Sequence, residues 1–156
     1  MTPLDIQAQG RQSKFQRIRE TEAETRKRWQ DRWNKTGPTW TKSLIPQIDR
    51  WIDRPHGELS GSITEIISGH GHFGTFLKMT GKTNSSVCNV CQTQESVRHV
   101  LMYCPRFDQE RTTAGLQAEC DPTRITKYML TSRENWNRVE ALLCAITKAG
   151  KLHLSR

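Results

Sequence analysis

The sequence predicts a mainly α fold, built from short helices packed around tryptophan, isoleucine and phenylalanine stripes. Two observations carry this: apolar residues recur at i, i+3, i+4 in segment after segment, and period-2 alternation never persists beyond a few residues. A third sets the centre of the fold. Cys88, Cys91, His99 and Cys104 stand at the spacing C-x2-C-x7-H-x4-C. Three thiolates and an imidazole form the closed, soft-donor shell that a structural zinc prefers, so one zinc ion in a CCHC knuckle is expected.

Composition bounds the rest. The 156 residues carry a net charge of +8 with only 34% hydrophobic residues, and mean hydropathy is −0.74. Such a chain has a modest core and a basic surface suited to nucleic acid or another anionic partner. No apolar run approaches the ~18 residues of a membrane span, and Met1-Thr2-Pro3-Leu4-Asp5 lacks the apolar region of a signal peptide. An intracellular site, nuclear or cytoplasmic, is expected, with no membrane contact. The two cysteines outside the knuckle, Cys120 and Cys144, are expected to be reduced and buried.

Along the chain, residues 1–12 are polar and read as extended. From Ser13 to about Asn34 one long helix is expected, capped by Ser13 and free of Gly and Pro. Residues 11–35 hold nine Lys or Arg against four Asp or Glu, a net +5. Phe15, Ile18, Trp29 and Trp33 supply its apolar contacts. Arg26, Lys27, Arg28 and Arg32 are candidate phosphate contacts, although the same charges suit a solvated face equally well. Gly37-Pro38 breaks this helix.

Trp40, Leu44, Ile48, Trp51 and Ile52 then recur at helical spacing, with Pro46 at a start or a kink; the stripe reads as core more than as a base-stacking surface. Ser60 or Ser62 starts a helix with Ile63, Ile66 and Ile67 on one face. A corner at Gly69-His70-Gly71-His72 leads into a short helix with Phe73, Phe76 and Leu77, closed by Gly81. His70 and His72 have only their spacing to suggest chemistry, and no catalytic role is expected of them.

The knuckle follows. Ser96 caps a helix that turns Val97, Val100 and Leu101 to one side. Five residues of helix rotate about 140°, so His99 and Cys104 converge only if the helix stops between them. Pro105 gives a reason to stop. Arg106 to Ala118 then reads as helical, with Phe107 and Leu116 facing inward. Asp121-Pro122-Thr123 breaks it, Thr123 to Leu130 forms a short helix, and Ser132 caps a last one with Trp136, Val139, Leu142, Leu143 and Ile146 on one side. Gly150 is expected just past its end, before a basic tail of Lys151 and Arg156. Four segments result: a basic helical one at 1–36, a helical linker at 37–82, the knuckle at 83–108 and C-terminal helices at 109–156.

One ordered set of residues carries a resemblance. Arg32-Trp33, Gly37-Pro38-Thr39-Trp40-Thr41, Leu44-Ile45-Pro46, Trp51-Ile52-Asp53-Arg54, His56-Gly57-Glu58, Ser68-Gly69-His70-Gly71, Phe73, His99-Val100-Leu101 and Cys104-Pro105-Arg106-Phe107 stand in this order. Together they resemble the C-terminal part of the reverse-transcriptase polyproteins of non-LTR retrotransposable elements. The type-1 insect elements that insert in ribosomal RNA genes are the most similar. The resemblance spans residues 1–115 and is most specific from Leu44 to Phe107. It implies a parent polyprotein with an endonuclease that nicks chromosomal DNA and an RNA-directed DNA polymerase primed on the nick, with this chain after the polymerase.

Polymerase chemistry needs paired carboxylates for two metal ions, and this chain has no Asp-Asp pair. No catalytic residue is expected in it. Two functions stay open. The first is a nucleic-acid-binding module that holds template RNA or target DNA for the polymerase, with Arg98 and Arg106 beside the knuckle joining the four helix cations. The second is a structural or protein-interaction module that docks on the reverse transcriptase. Retroviral knuckles stack a base on an aromatic residue within the finger; here none lies between Cys88 and His99, and only Tyr103 and Phe107 are near.

Overall fold

The computed structural model describes residues 21–117 and 121–154. The expected Ser13 cap, Phe15, Ile18, Cys120 and Arg156 lie outside the described residues. Within them the fold is helical, and the only extended pairing is one isolated antiparallel bridge between Val87 and Gln94.

Helix α1 spans Glu22–Lys35. Its N-cap is Thr21, which forms a reciprocal capping box with Glu24: the Thr21 side chain accepts from Glu24 N, and Glu24 reaches back to Thr21 N. Each satisfies a backbone donor that has no helical partner. The helix buries no residue completely; Trp33 anchors it by donating from Nε1 to Ile45 O at 2.9 Å. Helices α2 (Trp40–Leu44) and α3 (Ile48–Ile52) follow. Pro46 separates them, splitting the tryptophan stripe into two short pieces.

Helix α4 (Gly61–Ser68) is capped by Ser60 and buries Ile63 and Ile66. It ends at Gly69, whose φ of +70° is the left-handed conformation that closes helices. Helix α5 (Gly74–Met79) and helix α6 (Val97–Met102) flank the cysteine turn. A 3-10 turn, Pro105–Phe107, leads into α7 (Asp108–Thr113). That helix is shorter than the expected run to Ala118, because Gly115 at φ +77° reverses the chain. Helix α8 (Pro122–Thr131) starts at the residues expected only to break: Asp121 caps it and Pro122 occupies the first turn, where a missing N–H costs nothing.

The last helix, α9 (Arg133–Leu154), is the spine. Trp136, Val139, Leu142, Leu143 and Ile146 all bury, and they share one core with α4, α6 and α8 and with Phe107 and Ala114 at the two ends of α7. It runs straight through Gly150, which was expected to follow its end. The glycine serves close approach instead: a Cβ there would meet His72 Cβ at 2.7 Å and His72 O at 3.2 Å. Cys144, expected to be buried, is half-buried and free. No helix of the described residues is long and apolar enough to cross a membrane.

Candidate metal centre

Two local structures bring the four donors together. The first is the tight turn from Cys88 to Gln92. The Val87–Gln94 bridge squares its base, Cys88 N donates to Thr93 O at 2.7 Å, and Gln92 N donates to Cys88 O at 2.9 Å. Closing so short a loop forces Gln92 to φ +54°, a conformation that favours glycine. Gln92 Nε2 offsets part of that cost by donating to Asn89 O at 2.9 Å. The turn also aims the backbone N–H groups of Cys91 and Val90 at the Cys88 sulfur.

The second structure is α6 and its exit. Ser96 caps the helix by accepting from His99 N at 3.1 Å. The N–H groups of Tyr103 and Cys104 both donate to His99 O at 2.9 Å. Cys104 then turns extended (φ −66°, ψ 121°) before Pro105, as a residue preceding proline must. Its thiol thereby swings back to the imidazole. Cys104 Sγ lies 3.9 Å from both Cys88 Sγ and Cys91 Sγ. One ligand atom from each of Cys88, Cys91, His99 and Cys104 falls within 4.8 Å of the others.

His99 gives the most direct test of whether a cation fits. Its Nε2 is buried with no hydrogen-bond partner, while Nδ1 faces Thr93 Oγ1 at 3.4 Å. A buried unpaired nitrogen is costly, and a metal ion would satisfy it, with the second nitrogen held by an outer partner as in metal-bound histidines. Burial, then Arg106, lower the His99 pKa and favour the neutral ring. Burial pushes the Cys88 thiol up, but N–H donation from Cys91 and Val90, the Cys104 sulfur and Arg106 outweigh it and hold the thiol below its ordinary value. Burial and the neighbouring sulfurs push Cys91 up to about 11. Three adjacent sulfurs do not ionise together unaided. A divalent cation would take all three as thiolates with a neutral imidazole.

Two arginines brace the site. Arg106 Nε donates to Cys104 Sγ at 3.3 Å, its NH2 donates to Glu95 Oε1 at 2.6 Å, and its guanidinium lies 5.5 Å over the Phe107 ring. The two bonds raise its pKa against the opposing effect of burial. Arg111 is 3% exposed. It donates to Val100 O and Leu101 O at 3.2 Å each, and to Cys104 O and Asp108 Oδ1. Sequence reasoning missed it; its only signal was an acid three residues earlier on a helix.

The other expected site residues are spread out. Arg26 is bound to Asp53 at 2.6 Å and to Glu22 at 3.0 Å. Lys27, Arg28 and Arg32 are exposed on α1, although Arg28 and Arg32 each make a contact within the fold. Arg98 is exposed on α6, whereas Arg106 faces the sulfurs. His72 Nδ1 lies 3.0 Å from Glu65 Oε2, and His70 stacks on Phe76. Those two histidines serve the corner between α4 and α5. Of the two aromatics near the knuckle, Tyr103 is exposed and Phe107 is core.

Comparison with known proteins returns two relatives. The chain is 29% identical over 89 residues to the Retrovirus-related Pol polyprotein from type-1 retrotransposable element R1 of Bradysia coprophila, a match covering 56% of this chain and 9% of the relative. It is 27% identical over 90 residues to the Putative 115 kDa protein in type-1 retrotransposable element R1DM of Drosophila melanogaster, with the same coverage. The similarity expected from the ordered motifs is therefore found, and it spans under a tenth of the length of these relatives. No protein-family model matches, and no solved structure matches.

Proposed function

We propose that this chain is a zinc-stapled, nucleic-acid-binding segment of a type-1 retrotransposable-element polyprotein, lying after its polymerase. It would hold template RNA or target DNA while the polymerase extends the new strand. Cys88, Cys91, His99 and Cys104 would hold one structural Zn2+, which closes the shell and leaves no position open for water. The observation that carries this reading is the convergence of three sulfurs and an imidazole within 4.8 Å, with the ring's Nε2 buried and unpartnered, on a chain of net charge +8. The ion would cross-link the turn to α6, and the basic surface would supply a salt-dependent attraction for phosphates.

A second reading draws on a different observation. Arg26 and Arg106 are tied into ion pairs with Asp53 and Glu95, as expected of a module that staples helices onto a polymerase body. Metal analysis and a salt titration separate the two. The zinc-loaded chain should hold about one ion and bind single-stranded RNA or DNA more weakly as salt rises. No affinity at low salt would leave the docking function in its place.

A further inference from the structure

We propose that a single strand of nucleic acid lies in the groove between α3 and α8, with bases on its apolar floor and phosphates on Arg50 and Lys127. This rests on the nucleic-acid reading above and assigns it a place outside the residues expected from sequence. The groove measures about 590 Å3, within the range of sites that enclose a ligand. Ile45, Trp51 and Leu130 line its floor.

The charges on its walls point to the occupant. Arg50 stands on α3 and Lys127 on α8, both exposed. The other charges lining the groove are already engaged. Asp53 is held by Arg26 at 2.6 Å. Arg54 lies 5.0 Å over the Trp51 ring and 5.2 Å over that of Trp136, and donates to Trp51 O and Gly57 O. Two exposed cations, one from each helix, therefore line the groove beside its apolar residues. That combination suits a polyanion with exposed flat faces, which a single strand offers and a duplex hides. The net charge of +8 favours such a partner at long range.

Binding of labelled oligo-uridylate and oligo-deoxyuridylate to the full chain tests this; the two probes differ only in the 2′-hydroxyl. Arg50→Glu with Lys127→Glu should weaken binding on the order of tenfold near 0.1 M salt. It should also make the salt slope shallower by about 1.4, at roughly 0.7 per lost single-strand phosphate contact. Lys78→Glu with Lys82→Glu makes the same change in net charge away from the groove and should cost far less. Equal losses in the two variants, or none in the groove variant, overturn the assignment while leaving nucleic-acid binding intact. A wild-type chain that binds neither strand overturns the reading beneath it and this one with it. Polyglutamate carries charge without bases: if it is held as tightly as the strands, and equally through Arg50 and Lys127, the groove takes acidic peptides and the assignment falls.

Discussion

The guanidinium of Arg111 donates to the carbonyl oxygen of Cys104, the residue whose thiol closes the four-donor cluster. The same group reaches Val100 O and Leu101 O at the end of α6. One buried cation thus ties the helix bearing His99 to the turn bearing Cys104. Arg111→Ala would leave three carbonyl oxygens and Asp108 without this partner. Asp108 is 63% exposed and would be hydrated, so we expect a loss of about 1–3 kcal/mol in unfolding free energy, the range for leaving buried acceptors unpaired. Arg111→Lys should recover only part, because an ammonium lacks the planar fork. A denaturant midpoint unchanged in the alanine variant would refute the bracing role.

Removing the proposed zinc should act on one part of the chain first. Structural zinc supplies about 10–16 kcal/mol of apparent binding energy, as large as the ~5–15 kcal/mol stability of a whole domain. Chelation, Cys88→Ser or His99→Ala should abolish amide protection from about residue 85 to residue 107 while α9 stays largely formed. Hydrogen exchange reads this directly. Protection of that stretch surviving chelation would count against a metal staple.

Acid should expel the proposed ion. Each ligand thiol gives up its proton to bind, so falling pH restores the proton and weakens affinity. Cys91, pushed up to about 11 without metal, is protonated at neutral pH and must release its proton on loading. Calorimetry in buffers of different ionisation enthalpy should detect that release, and its absence would be decisive against Cys91 as a ligand. In the metal-free chain His99 acts in the same sense. Its folded pKa lies below the ordinary histidine value, so the unfolded state takes the proton first, and stability falls as pH drops through about 6.5.

Gln92→Gly should stabilise the loaded protein. A non-glycine residue in the left-handed region costs on the order of 1–3 kcal/mol, more than the roughly 0.5–1 kcal/mol entropic cost of glycine. The exchange gives up the exposed bond to Asn89, so the expected net gain is about 1 kcal/mol. A lower thermal midpoint would show that the turn is not strained at this position.

Gly150→Ala should invert the usual rule. Alanine in place of a mid-helix glycine normally gains about 1 kcal/mol. Here the new Cβ would sit 2.7 Å from His72 Cβ, and overpacking costs about 1–3 kcal/mol. Destabilisation in a thermal melt is the expected outcome; a gain would mean that α9 stands further from His72.

The helical class, the donor cluster and most helix starts were legible because each rests on local chemistry. Ser60, Ser96 and Pro105 act within a few residues of themselves. The Thr21-Glu24 capping box was equally local and was overlooked in favour of an unbroken charged run. Other features depend on partners far along the chain. Gly150 looked like a terminator until His72 packed against it, and nothing beside Arg111 in the sequence announces the three carbonyls that surround it. The groove cations were illegible for the same reason: Arg50 and Lys127 lie 77 positions apart and come to line one groove only in the folded chain.

The shared core has a practical corollary. Val100, Leu101 and Phe107 pack with Trp136, Leu142 and Leu143, so an isolated peptide from residue 83 to residue 108 would keep its four donors yet bare an oily flank to solvent. Such a peptide would chelate metal but tend to clump, and its behaviour would say little about the intact polypeptide. Studies of the finger alone would need α9 supplied alongside it.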